Sequence, residues 1–138
     1  MTAMRTVVLV AVGVTAVAAV TAYSACMNFC GNDKLAEHLA PGREWKVVVF
    51  QRDCGATTGF STQASVLPAD SDLPNRGGNI FGADDNRGAA PAGPGGGPVV
   101  DVRWQSPNEV TIIHSSRARV FKAEDHHSGI RVAYETAE

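Results

Sequence analysis

The chain has 138 residues, 44% of them hydrophobic, and a formal net charge of −2 from 12 basic and 14 acidic side chains. That length carries one domain, since a leader of ordinary size leaves roughly 110 residues, enough for a single core. The signs are mixed along the chain, which excludes the basic footprint of a nucleic-acid binder and an acidic interaction tail.

One basic residue, Arg5, precedes an uncharged run over residues 6–26 rich in Val and Ala. This is the pattern of a segment that meets the export machinery or the bilayer. Three outcomes fit it. Val20-Thr21-Ala22 offers small residues to a signal peptidase, which makes residues 1–25 a cleaved leader. Tyr23-Ser24-Ala25-Cys26 resembles the bacterial lipobox, in which Cys26 takes lipid and becomes N-terminal, although Tyr23 stands where Leu is usual. A retained helix is the third, because about 20 apolar residues at 1.5 Å each cross a bilayer core. All three expect the rest of the chain to lie outside the cytoplasm, facing the periplasm, and the lipidated and retained-helix outcomes make the membrane the partner of the N-terminal segment.

The chain has three cysteines, Cys26, Cys30 and Cys54. With Cys26 acylated, an oxidising compartment allows a Cys30–Cys54 disulfide, and two free thiols are the alternative. Cys26 and Cys30 have three residues between them rather than two, a poor match to a thioredoxin-like redox pair.

Residues 26–43 read as a linker with a short helix, capped by Asn32, with Leu35 and Leu39 on one face, and stopped by Pro41-Gly42. His38 in this piece has no second ligand at helical spacing and reads as a solvated imidazole. The β domain is expected over residues 44–138. It opens with Val47, Val48, Val49 and Phe50, side chains that suit a pleated, half-buried surface. Gly55 and Gly59 bracket a chain reversal containing Thr57 and Thr58. Beyond it Phe60, Thr62, Ala64 and Val66 alternate with Ser61, Gln63 and Ser65, which predicts an antiparallel partner strand with one wet side.

Residues 68–98 change composition to Gly, Pro, Asp and Asn and predict a long loop. Ile80 and Phe81 are its apolar island, expected to pair briefly as a strand or to plug into the core. The low-complexity run over residues 88–98 has few side chains and reads as a flexible connector. Strands return with Val100, Val102 and Trp104 on one face against Asp101 and Arg103. A turn at Ser106-Pro107-Asn108, a return strand over 109–114, and strands over 118–122 and 129–134 follow. The expected fold class is all-β: a small antiparallel β-sandwich or curled sheet of about six strands, with a long Gly/Pro-rich loop and an N-terminal signal or anchor helix.

Several chemistries are weak fits. The Gly-rich run lacks the Gly-Lys-Ser/Thr ending of a phosphate loop. Asp70, Asp72 and Asp84-Asp85-Asn86 supply hard oxygens, but Pro74 stands where an EF-hand-like loop needs a ligand, and no bidentate Glu follows. Glu124-Asp125-His126-His127 reads as a solvated turn, because adjacent histidines diverge on a strand. Cys54 beside Asp53, with His114, His126 or His127 as base, lacks any local motif that fixes the histidine. No cofactor, metal or catalytic set is expected.

The stretch from Arg52-Asp53-Cys54-Gly55 through Gly59-Phe60-Ser61-Thr62-Gln63, together with Gly78-Asn79-Ile80-Phe81-Gly82-Ala83-Asp84 and Gly95-Gly96-Gly97-Pro98, resembles a family of small exported bacterial proteins, often predicted lipoproteins. The resemblance covers residues 45–134 and implies a place in the bacterial envelope, without an activity, fold or ligand. The two motifs are expected to lie together as a binding surface that includes Asp53, Thr57, Thr58, Asn79 and Asp84. The function expected is a membrane-anchored or periplasmic, non-enzymatic module that binds a protein or cell-wall component. The alternatives are a small periplasmic hydrolase using Asp53, Asp84 or a histidine, and an immunity-type protein that blocks a toxin.

Overall fold

The computed structural model describes residues 29–55 and 59–138, so the leader, the lipid acceptor Cys26, and Thr57 and Thr58 lie outside the described residues. Over the described residues the chain is all-β, without a helix. The strands are β1 (Gly31–Leu39), β2 (Trp45–Asp53), β3 (Ser61–Pro68), β4 (Phe81–Asp84), β5 (Val100–Ser106), β6 (Glu109–Ser115), β7 (Arg119–Ala123), β8 (His126–His127) and β9 (Ile130–Ala137). They form two sheets, in the orders β1-β2-β3-β4-β7 and β5-β6-β9-β8.

The expected central hairpin is present, with β2 and β3 antiparallel from Trp45↔Pro68 to Arg52↔Ser61. On one face Val47, Val49, Ala64 and Val66 pack with Val110 and Ile112 of β6 and Ile130 and Val132 of β9, which makes the inter-sheet core. On the other face Val48, Phe50 and Leu67 form a second cluster, closed by Leu73 from the following loop. Both faces of the hairpin are therefore buried, and Gln63 and Ser65, expected on a wet side, are buried too. The segment after β3 folds back and supplies their partners. The Gly78 N–H donates to Gln63 Oε1 at 2.6 Å, and the Asn79 N–H to Ser65 Oγ at 3.1 Å. Ile80 and Phe81 do both things expected of them: each is fully buried, and Phe81 opens β4.

Four features differ from the sequence-based expectation. The helix expected at Asn32 to Leu39 is strand β1, paired with β2 from Gly31↔Asp53 to Leu39↔Lys46. The pairing skips Leu35, and this bulge breaks the two-residue alternation that would have marked a strand. The sheet domain accordingly begins at Gly31, not at residue 44. Among the described residues there are nine strands rather than about six, because β1, the short β4 and the two-residue β8 add to the count. The second sheet is not wholly antiparallel, since β6 and β9 run parallel from Glu109↔Arg131 to Ser115↔Ala137. Between them the chain crosses to the first sheet as β7, so β9 returns beside β6 in the same direction.

The fourth difference is the Gly-rich run, which packs instead of hanging free. Gly97 and Pro98 are buried, Thr62 Oγ1 donates to the Pro98 carbonyl at 2.6 Å, and the Gly93 N–H donates to the Gly97 carbonyl at 2.6 Å. A Cβ on Gly97 would stand 2.6 Å from Thr62 Oγ1 and 2.8 Å from Thr62 N. Few side chains are what this close approach to β3 requires. The sheets are also tied by Tyr134, whose hydroxyl lies 2.9 Å from the Ile80 carbonyl oxygen and 2.7 Å from that of Glu124. Burial, with the Glu124 carboxylate nearby, pushes its phenol up to about 12.

The expected disulfide joins Cys30 to Cys54, 24 positions apart, and locks the start of β1 to the end of β2. Replacing both cysteines by serine is expected to remove about 3 kcal/mol of stability by the loop-entropy relation, read as a lower urea midpoint. By the same measurement Gly97→Ala is expected to cost about 1–3 kcal/mol through overpacking against β3. Gly31→Ala, where a Cβ meets nothing within 4 Å, is expected to leave the midpoint in place.

Candidate functional site

The start of β1, the end of β2, the start of β3, the end of β4 and the start of β7 converge at one end of the first sheet. The register sets Arg52 opposite Ser61, Ser61 opposite Asp84, and Asp84 opposite Arg119. These four residues make a row across four strands, on the face turned away from the second sheet. In the next row Gln63 stands opposite Gly82. The β4–β7 register skips Phe121, and this extra residue lays its ring over Gly82, where any Cβ would run into it. Phe121 stays 57% exposed. An open groove of about 420 Å³ results, lined by Arg52, Cys54, Gly59, Ser61, Asp84, Arg119 and Phe121.

The electrostatics of the groove are uneven. Asp84, whose side chain is only 18% exposed, accepts from Arg119 Nε at 3.0 Å and from Arg119 Nη2, a two-pronged pair, and also from the Asn86 N–H at 2.9 Å. Burial pushes the Asp84 carboxyl up, but these hydrogen bonds and the guanidinium charge together outweigh it and hold the group below the usual carboxylate range. The same hydrogen bond raises Arg119 above its ordinary value. Arg52 is held differently. Its Nη1 donates to Asn32 Oδ1 at 2.6 Å and to Asn75 Oδ1 at 3.3 Å, both neutral amides. Among the described residues no carboxylate pairs with it, so its charge is not neutralised by them and can attract an anionic group.

The residues expected to form a binding surface are divided by the structure. Asp84 lines the groove, and Cys54 and Gly59 of the first motif form its rim, so the two motifs do meet. Asp53 Oδ1 accepts the Gly55 N–H at 2.9 Å and shapes the turn. Asn79 is half-buried and away from the groove. Its Oδ1 accepts from Val66 N and its Nδ2 donates to Val66 O, both at 2.8 Å, while His127 Nε2 lies 3.1 Å from Nδ2. Thr57, Thr58 and Cys26 are not among the described residues. Sequence reasoning missed Arg52, Ser61, Arg119 and Phe121 as groove residues. The first two stand inside the quoted motif, whereas the bulge that brings Phe121 over Gly82 leaves no local signal.

Among the described residues the histidines weighed as bases lie in separate settings. His126 is exposed beside Asp125, and the His114 ring stacks on Phe81 with centroids 5.3 Å apart. Among the described residues no three His, Cys, Asp or Glu side chains gather as metal ligands. No protein-family model matches the chain, and neither a curated protein nor a solved structure does.

The lowered Asp84 pKa fixes a sign. Stability from the Asp84–Arg119 pair is present above the ordinary carboxyl value of 3.8 and is lost as pH falls through the lower, folded value. In an NMR titration the Asp84 carboxyl carbon is expected to turn over below 3.8, and Arg119→Gln is expected to move that midpoint upward.

Proposed function

We propose that this chain is a non-enzymatic binding module of the bacterial cell envelope, held to the membrane by its N-terminal segment and facing the periplasm. Membership of the family of small exported proteins it resembles is part of that proposal. The uncharged run over residues 6–26 supports the location, and the Cys30–Cys54 disulfide is compatible with an oxidising compartment. The observation that carries the binding role is the groove. The exposed Phe121 ring, the Asp84–Arg119 pair and Arg52 line it together. An aromatic face in the same groove as a guanidinium bonded only to neutral amides among the described residues suits a partner that offers an apolar or ring face and a carboxylate or phosphate. Cell-wall polymers and protein segments both carry such groups.

The hydrolase alternative has less support. Asp84 stays ionised against Arg119, so it is a poor proton donor, and the histidines lie apart from it.

The full chain is expected to co-sediment with isolated cell-wall sacculi in a salt-sensitive way. Arg52→Gln and Phe121→Ala are each expected to weaken that binding by about tenfold, equivalent to roughly 1.4 kcal/mol. Arg103→Gln, at an exposed pair with Glu135 on the other sheet, serves as the control. Equal sedimentation of all four chains would remove the groove from the proposal.

A further inference from the structure

The end of the molecule that carries the groove also carries most of its exposed apolar surface. Among the described residues, the large hydrophobic side chains left exposed are Phe29, Leu39, Phe60, Val99, Val120 and Phe121. Only Leu39, at the far end of β1, belongs to the opposite end of the first sheet. Phe29 precedes the disulfide and is 74% exposed, and Phe60 precedes β3 and is 44% exposed. The Phe60 ring rests on the Gly-rich loop, where a Cβ on Gly96 would stand 2.8 Å from its Cδ2. Val99 continues the same edge into β5. Among the described residues nothing covers the exposed parts of these side chains.

The chain enters the domain at this same end. The Val- and Ala-rich run ends by Cys26, the lipid acceptor of the lipobox reading, and the disulfide begins at Cys30. Four residues, fully extended, reach no farther than about 14 Å. With the chain fixed at the bilayer at Cys26, by acyl chains or by a retained helix that ends there, the disulfide cannot leave the neighbourhood of the lipid headgroups. Strands β1 and β2 run away from that point for nine residues each, or roughly 30 Å. The tether therefore selects which end meets the membrane, and it selects the apolar one.

We propose that the disulfide end of the domain is a membrane-docking surface, on which Phe29 and Phe60 enter the headgroup boundary of a phospholipid bilayer. The proposal rests on the anchored form of the function proposed above. Docking fixes the orientation of the sandwich, so that the groove, on the outer face of the first sheet, opens sideways just above the lipid. Charges at this end are of both signs, with Arg52 and Arg119 near Asp53, Asp84 and Asp85, so the contact is made by the rings and depends little on salt.

The test uses the full chain in vesicles of phosphatidylethanolamine and phosphatidylglycerol whose acyl chains carry bromine close to the glycerol. The native Trp45 and Trp104 are internal controls, because Trp45 opens β2 and Trp104 bonds to the His38 carbonyl, both at the opposite end. Phe60→Trp and Phe29→Trp, made separately, are each expected to add emission that shifts to the blue on the vesicles and falls several-fold with brominated lipid. The emission of Trp45 and Trp104 is expected to stay unchanged. Chains that float with the vesicles but whose added emission is unquenched in both variants overturn the docking surface and leave the anchor standing. Quenching of Trp45 and Trp104 in the unsubstituted chain overturns it too, by turning the other end down. Chains that do not float overturn the anchor, and the docking surface with it.

Discussion

Burial of the β2–β3 pair on both faces is the constraint from which the rest of the fold follows. A strand covered on one side can turn its polar residues to water, but Gln63 and Ser65 have no such exit and must find partners inside. The partners come from Gly78 and Asn79. The Asn79 side chain goes further, meeting both the N–H and the carbonyl of Val66 as a neighbouring strand would. Close approach of this segment to β3 leaves a Cβ on Gly78 only 2.5 Å from the Phe81 carbonyl and 2.7 Å from that of Ala64. The run from Gly78 to Gly82 is thus read residue by residue: a glycine for approach, an amide that imitates a strand, two core side chains, and a glycine beneath an aromatic ring.

That same pair of strands explains why chemistry gathers at one end. Strand β2 ends, β3 begins and β4 ends within one register row, so the turn after β2 and the last residue of β4 are forced together. The Gly-rich loop closes the inner side of this end against Thr62, and the disulfide closes the entrance of β1. Polar and charged residues of the outer face, Arg52, Ser61, Asp84 and Arg119, are left in line along the groove. The groove is the exposed remainder of a sheet whose other parts are packed.

The hairpin was legible in the sequence because Val47 to Phe50 and the glycines after them act locally, and so was β5, whose Val100, Val102 and Trp104 keep strict alternation. What could not be read locally was misread. Leu35 and Leu39 imitate a helical face because the bulge at Leu35 shifts the phase of β1, and only pairing with β2 reveals the strand. The Gly-rich run has low-complexity composition, and its packing is evident only from Thr62 and Phe60, which lie more than thirty positions earlier. The parallel pairing of β6 with β9 depends on β7 crossing to the other sheet, a choice that no short window of sequence records. For the site, the meeting of the two motifs was visible as a juxtaposition. The cation that pairs with Asp84 and the aromatic ring were not, because Arg119 and Phe121 belong to a strand that reaches the motifs only through β4.

The way the sheet edge is finished bears on what the groove can recognise. An open edge strand invites a partner strand through its free backbone groups. Strand β7 is the edge next to the groove, and it is five residues long, bulged at Phe121, and carries Arg119 and Lys122. Short length, a bulge and charge are the devices that blunt strand addition. Strand β1, the opposite edge, is bulged at Leu35 and carries Lys34 and Glu37, which pair at 3.3 Å. Backbone pairing is therefore disfavoured at both edges of the first sheet. In the binding role we propose, recognition at the groove falls to side chains, to the ring of Phe121 and the guanidinium of Arg52, so the partner is selected by chemistry rather than by strand geometry.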